Sequence, residues 1–321
     1  MGNKSTATAK GQFVKDKTSE QKNDIKSHSR DTKIIVVCNN KGGVGKTTCT
    51  AGIGDILARK MNKTVLLIDA DPQGNLSKRF GYSPRMNLEN SYDVLLQAEI
   101  EFKSRYINQR IPVSYFYNIG KQFIPTKKTY KDYANLKIMC ANGNLENIYS
   151  RYRSDPEHAN RIIRKFLGEI RESGEFDYVL IDTQPTLSYL LSQYMLGADY
   201  VLVPVTPDDD TFDGAEAVGR ASAEVAEAKA EYREDNKLDF LGIFFNMVKK
   251  NTKSAKEFQR NLPEIWGDNP VFDTMIPQNQ DAHNAGNDCA PVTSAYPSSS
   301  SSKALEKLTK EIIKRIEEGE E

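Results

Sequence analysis

The stretch Asn39-Asn40-Lys41-Gly42-Gly43-Val44-Gly45-Lys46-Thr47-Thr48 constrains this chain more than any other. An apolar run, Ile34–Cys38, precedes it and a helix-compatible stretch, Thr47–Lys60, follows, so the pattern reads strand, glycine loop, helix. Glycines let the backbone curl until successive N–H groups face one anion, and the helix N-terminus adds its partial positive charge. In that geometry Lys46 reaches the β- and γ-phosphates of a nucleoside triphosphate, and the Thr47 hydroxyl can ligate Mg²⁺. A strict Gly-x-x-x-x-Gly-Lys-Ser/Thr loop needs glycine at position 40, where this chain has Asn40, and an additional lysine, Lys41, stands at the entry. The loop is a deviant of the phosphate-binding type.

Further short apolar runs recur at Val65–Ile68, Leu136–Cys140, Tyr178–Ile181, Tyr200–Val205 and Phe240–Phe245. Runs without polar alternation suit strands buried on both faces, and hence a mostly parallel sheet covered by helices on both sides. The predicted fold class is α/β, doubly wound, with a deviant P-loop. Helices are predicted at Ala159–Ser173, Leu187–Leu196, Gly214–Glu234, Ala255–Asn261 and Lys303–Glu318, the last with Leu305, Leu308, Ile312 and Ile313 on one face. One strand closes on Asp69-Ala70-Asp71 and another on Asp182, which places carboxylates at the carboxyl ends of strands, where open α/β sheets bind ligands. Asp69 reads equally well as a helix N-cap. Asp71 and Asp182, in the company of the glycine loop, point to water and metal roles.

At these residues the chain resembles the ParA/Soj partition ATPases of the ParA/MinD deviant P-loop family. The carriers are Lys41–Thr48, Leu66–Asn75, Asp177–Ser188, Val203–Glu216, Phe244–Lys250 and Phe272–Ala285, and the resemblance spans residues 33–318. It implies a cytoplasmic, nucleoid-associated ATPase that uses ATP and Mg²⁺ and forms an ATP-dependent homodimer. In that dimer Lys41 reaches the partner subunit's phosphates. The resemblance assigns nucleotide binding to Lys41, Gly42, Gly43, Val44, Gly45, Lys46, Thr47 and Thr48, with Lys46 and Thr47 on phosphate and Mg²⁺. Asp71 would position the attacking water, and Asp182 would stand in the metal's outer shell. Asn246 with Met247, and Pro277, Gln278 and Asn279, look like the base and ribose site. Two departures stand out: Thr183-Gln184-Pro185 replaces the more usual cysteine and two prolines, and residues 101–137 are longer than usual.

Composition enters through what it excludes. Lys plus Arg equals Asp plus Glu at 44 each, so any basic surface is local. One such cluster is Lys249, Lys250, Lys253, Lys256 and Arg260 against Glu257, a candidate for sequence-independent contact with double-stranded DNA. A second candidate surface is the stretch 101–137, with eight basic residues against two acidic ones and interleaved aromatics. Residues 1–32 are polar and read as a disordered tail before an ATPase domain over 33–321. The four cysteines and three histidines show no metal-ligand spacing, which argues against a cluster-bridged electron carrier. No apolar run approaches the ~18 residues of a membrane span, and Glu317-Glu318-Gly319-Glu320-Glu321 would be repelled by anionic lipid, so no membrane association is expected. The resemblance to the ParA/Soj ATPases implies DNA partitioning with a ParB-type centromere-binding partner. The alternatives are an ATP-gated positioning adaptor for another cargo and, further off, a MinD-like membrane-associated ATPase.

Overall fold

Six parallel strands carry the six apolar runs. In the computed structural model, which describes residues 31–82, 135–154, 156–207, 209–231, 237–249 and 270–320, they are β1 (Lys33–Val37), β2 (Val65–Asp69), β3 (Leu136–Met139), β4 (Tyr178–Asp182), β5 (Tyr200–Val205) and β6 (Asp239–Phe245). Their order across the sheet is β3-β2-β4-β1-β5-β6, and every pairing is parallel. Successive residues of a strand point to opposite faces, and both faces here are covered. Ile34, Val36 and Cys38 join one hydrophobic core and Ile35 and Val37 the other, all fully buried. That two-sided burial is why the runs lack polar alternation.

The first core is closed by α3 (Leu145–Ser154), α4 (Pro156–Ser173), α5 (Tyr189–Gly197) and α6 (Asp209–Glu231), and the second by α1 (Lys46–Asp55), α2 (Asn75–Arg79), α8 (Val292–Ala295) and α9 (Ser300–Glu320). Among the described elements, helix α7 (Gln280–Asn287) comes next after β6. The predicted first helix ran unbroken to Lys60, but its last turn, Ile56–Lys60, widens to π geometry. Helix α1 packs closely because Gly52 and Gly54 admit neighbours: a Cβ would lie 2.9 Å from Leu305 Cδ1 at the first and 2.7 Å from Leu67 Cδ2 at the second. The terminal helix docks as expected through Leu305, Leu308 and Ile312, joined by Ile316, while Ile313 is only half-buried. Arg315 anchors it, donating to Leu241 O at 3.1 Å and Val271 O at 2.6 Å and stacking 3.8 Å from the Phe272 ring centroid.

The predicted helix Ala255–Asn261, the tail up to residue 30 and most of the 101–137 stretch lie outside the described residues. Lys137 is a correction to that stretch. It sits in β3, with its ammonium 3.6 Å from Glu175 and 5.6 Å from the Phe176 ring centroid, so it belongs to the sheet edge.

Candidate functional site

Strand β1 lies between β4 and β5, and the chain leaves its carboxyl end through the glycine loop. Gly43 and Gly45 hold positive φ, +80° and +91°, which side-chain-bearing residues rarely adopt. Gly45 has a second constraint, because a Cβ there would stand 2.1 Å from Asn246 Nδ2. That amide, at the end of β6, donates to Val44 O at 2.8 Å and clamps the loop against the sheet. The entry is fixed by Asn39, whose Nδ2 donates to Pro204 O and whose Oδ1 accepts from Lys41 N.

Lys46 fills the inside of the loop. It is only 7% exposed, and its Nζ donates to Asn39 O at 3.1 Å and Lys41 O at 3.0 Å. Burial pulls its pKa down, opposed chiefly by the charge of Asp182. The Thr47 hydroxyl donates to Asp182 Oδ2 at 2.7 Å, while Asp182 Oδ1, buried in the same place, has no hydrogen-bond partner. Burial, then the neighbouring Asp69 charge, raises the Asp182 pKa. A hydroxyl beside a carboxylate with one unsatisfied oxygen suits a hard, oxygen-seeking cation such as Mg²⁺. Among the described residues no group of three or more His, Cys, Asp and Glu could hold a metal unaided, so such an ion would draw further ligands from phosphate and water.

The three strand-end carboxylates divide their work. Asp69, fully buried, accepts from Ser77 N at 2.8 Å and Ser77 Oγ at 2.6 Å, and Ser77 Oγ in turn accepts from Ala141 N. It caps the short helix α2 and ties β2 to β3, although burial pushes its pKa up to about 6. Asp71 accepts only from Gln73 N, at 2.9 Å, and lines the same cavity of about 500 Å³ as Gly42, Lys46 and Thr47. Beneath it Tyr149, on the unpredicted helix α3, donates to Ala70 O at 2.8 Å and steadies the turn.

A second cavity of about 690 Å³ is lined by Asn246, Met247, Pro277, Gln278 and Asn279, the residues expected at base and ribose. Met247 holds a left-handed backbone, φ +55°, of the kind found at functional sites. The two cavities share Thr48, Met247, Arg79 and His283, the last two not anticipated from sequence. Arg79 closes a five-residue helix, where a basic residue reads simply as a complement to the helix dipole. Of the DNA-binding candidates only Lys249 is described; it is exposed and lines the Pro277–Asn279 cavity, while Lys250, Lys253, Lys256 and Arg260 lie outside the described residues. Thr183, in the departure from the usual loop, donates its hydroxyl to Val37 O, and Pro185 lines the same cavity as Gly42, Lys46 and Thr47. Cys38, Cys49 and Cys140 are buried; burial raises all three thiols, Cys38 and Cys140 to about 12, so they serve as packing. Among the described residues no helix is long and apolar enough to cross a membrane.

The sequence model of the AAA domain family matches residues 32–234. The chromosome-partitioning ATPase Soj of Treponema pallidum is 28% identical over 283 residues, covering 88% of this chain and 98% of its own length. The chromosome partitioning protein ParA of Caulobacter vibrioides is 27% identical over 283 residues, with 88% and 94% covered. Among solved structures, cobyrinic acid a,c-diamide synthase from Mycobacterium smegmatis, with bound ATP analog and magnesium, shares the fold at a TM-score of 0.65 and 21% identity, over 90% of this chain and 96% of that one.

Proposed function

The chain belongs to the AAA domain family, within the ParA/MinD class of ATPases, and from that premise we propose that it is a ParA/Soj-type partition ATPase. In this reading residues 33–321 form one domain that dimerises on ATP, binds double-stranded DNA without sequence preference, and hydrolyses ATP slowly under stimulation by a ParB-type partner. It would act in the cytoplasm, on the nucleoid. The carrying observation is the convergence of Lys46, Thr47 and Asp71 on one cavity, with Asp182 hydrogen-bonded behind Thr47.

Each side chain has a distinct task. Loop N–H groups from Gly42 to Thr48 and the Lys46 ammonium hold the phosphates, and Lys46 exchanges the carbonyls of Asn39 and Lys41 for phosphate oxygens. Thr47, with Asp182 through water, would hold Mg²⁺, which neutralises charge on the β- and γ-phosphates. Asp71 orients the attacking water. Asn246, Met247, Pro277, Gln278 and Asn279 receive base and ribose.

Lys41 has its backbone fixed by Asn39, and the loop interior is already served by Lys46, so the proposal gives it the partner subunit's phosphates. Lys41→Ala should bind ATP yet stay monomeric in light scattering with a non-hydrolysable analogue. A stable ATP dimer in that variant would overturn the assignment.

DNA contact is tested by fluorescence anisotropy on unrelated duplexes with ATP at several salt concentrations. Counterion release predicts affinity that falls steeply with salt. Replacing Lys250, Lys253 and Arg260 with glutamate should weaken binding to all sequences alike and flatten the slope. Unchanged, salt-steep binding would exclude this cluster, and no binding by the wild-type ATP form would favour the positioning adaptor.

A further inference from the structure

Arg79 stands where the two cavities meet, and its guanidinium is incompletely used. Nη2 donates to Thr48 Oγ1 at 3.2 Å, whereas Nη1 is buried with no partner. Helix α7 makes room for it: a Cβ on Gly286 would lie 2.5 Å from Nη1. Desolvating a cation and leaving one donor unpaired is unfavourable, and such groups in native folds call for an explanation. The position supplies one. With β- and γ-phosphates on Gly42–Thr47 and the base toward Pro277–Asn279, the part of a nucleotide that crosses the seam at Thr48 is the α-phosphate and ribose. A planar guanidinium matches phosphate oxygens far better than sugar hydroxyls.

We propose that Arg79 is a nucleotide-contacting residue that binds the α-phosphate, so that it holds ATP and ADP alike and sets how long the product ADP stays bound. This rests on the ATPase reading above and adds to it a contact that does not discriminate between substrate and product.

The test uses the full chain with Arg79→Met and Arg79→Lys, titrated with MgATP and MgADP by calorimetry, with ADP release followed in stopped flow. Losing one charge-assisted contact predicts that Arg79→Met weakens both nucleotides by the same factor, about ten- to a hundredfold. ADP release should quicken by the factor by which ADP affinity falls. Arg79→Lys should recover part of the affinity. Because the lost group is a partly buried cation with an unpaired, buried Nη1, the Tm of unliganded Arg79→Met should not fall, and only the rise in Tm caused by ADP should shrink. Unchanged affinities, a loss confined to ATP, or a lower unliganded Tm with no rescue by lysine would each overturn the assignment. If Arg79→Met binds as the wild type does, the ATPase reading stands without this contact; a wild type that binds neither nucleotide overturns both.

Discussion

Lys46→Ala is expected to abolish tight ATP binding together with turnover, the largest single effect available in this chain. Lys46 is 7% exposed and its ammonium is already desolvated, which lowers its pKa, so water screens it little. Against β- and γ-phosphates such a group makes two or more charge-assisted hydrogen bonds, each contributing about 1.5–3 kcal/mol. The expected loss of ATP affinity is therefore roughly a hundredfold or more, with hydrolysis below detection. The fold should survive. Only two loop carbonyls, Asn39 O and Lys41 O, lose their Lys46 donor, and the burial cost of the cation disappears with it. Titration with a fluorescent ATP analogue, phosphate release and circular dichroism measure the three quantities. Binding within about threefold of wild type would remove Lys46 from the phosphate site.

How much of this was legible beforehand follows from burial. The strands were readable because both faces of the sheet are covered, so Ile34–Cys38 and Tyr178–Ile181 are apolar throughout. Helices α2 and α7 were not. Asn75–Arg79 is a single turn capped from a distance by Asp69, and Gln280–Asn287 is polar, with only Ala285 fully buried and its start fixed by Asn279 accepting from Asp281 N. Lys46, Thr47, Asp71 and Asp182 are legible in the sequence because phosphate chemistry calls for those residue types at those spacings, and the fold brings them together: the first three line one cavity and Asp182 bonds Thr47. Asn246 lines the cavity proposed for base and ribose, and its amide also grips Val44 O, a backbone role that no spacing reveals. Arg79 lies 31 positions from Thr48, and only the packing of α2 against α1 brings them together. His283 was inside a quoted motif, yet its place in both cavities depends on where α7 docks.

Asp71→Ala separates binding from chemistry where Lys46→Ala does not. Asp71 is 9% exposed, lines the cavity of Gly42, Lys46 and Thr47, and its carboxylate is committed only to Gln73 N, which leaves lone pairs for a water. Neighbouring Asp69 cannot take that part, since Oδ2 is engaged by both Ser77 donors and Oδ1 faces Asp71 N at 3.3 Å. Asp182 bonds Thr47 through Oδ2, and its open Oδ1 lies buried behind that hydroxyl, on the side proposed for the metal. A group that orients the nucleophile acts on the transition state, so its removal should lower kcat by about 10²–10⁴. ATP affinity should hold or rise slightly, because a negative charge beside the phosphates is gone. The fold should also hold, for Gln73 is exposed and its N–H turns to water. Asp69→Ala should do the reverse, costing about 1–3 kcal/mol of stability as Ser77 loses its acceptor and α2 its cap. Single-turnover hydrolysis, nucleotide titration and thermal melting of the two variants side by side read out the difference. Wild-type hydrolysis by Asp71→Ala, or a parallel loss of ATP affinity, would move the water-orienting role to another residue.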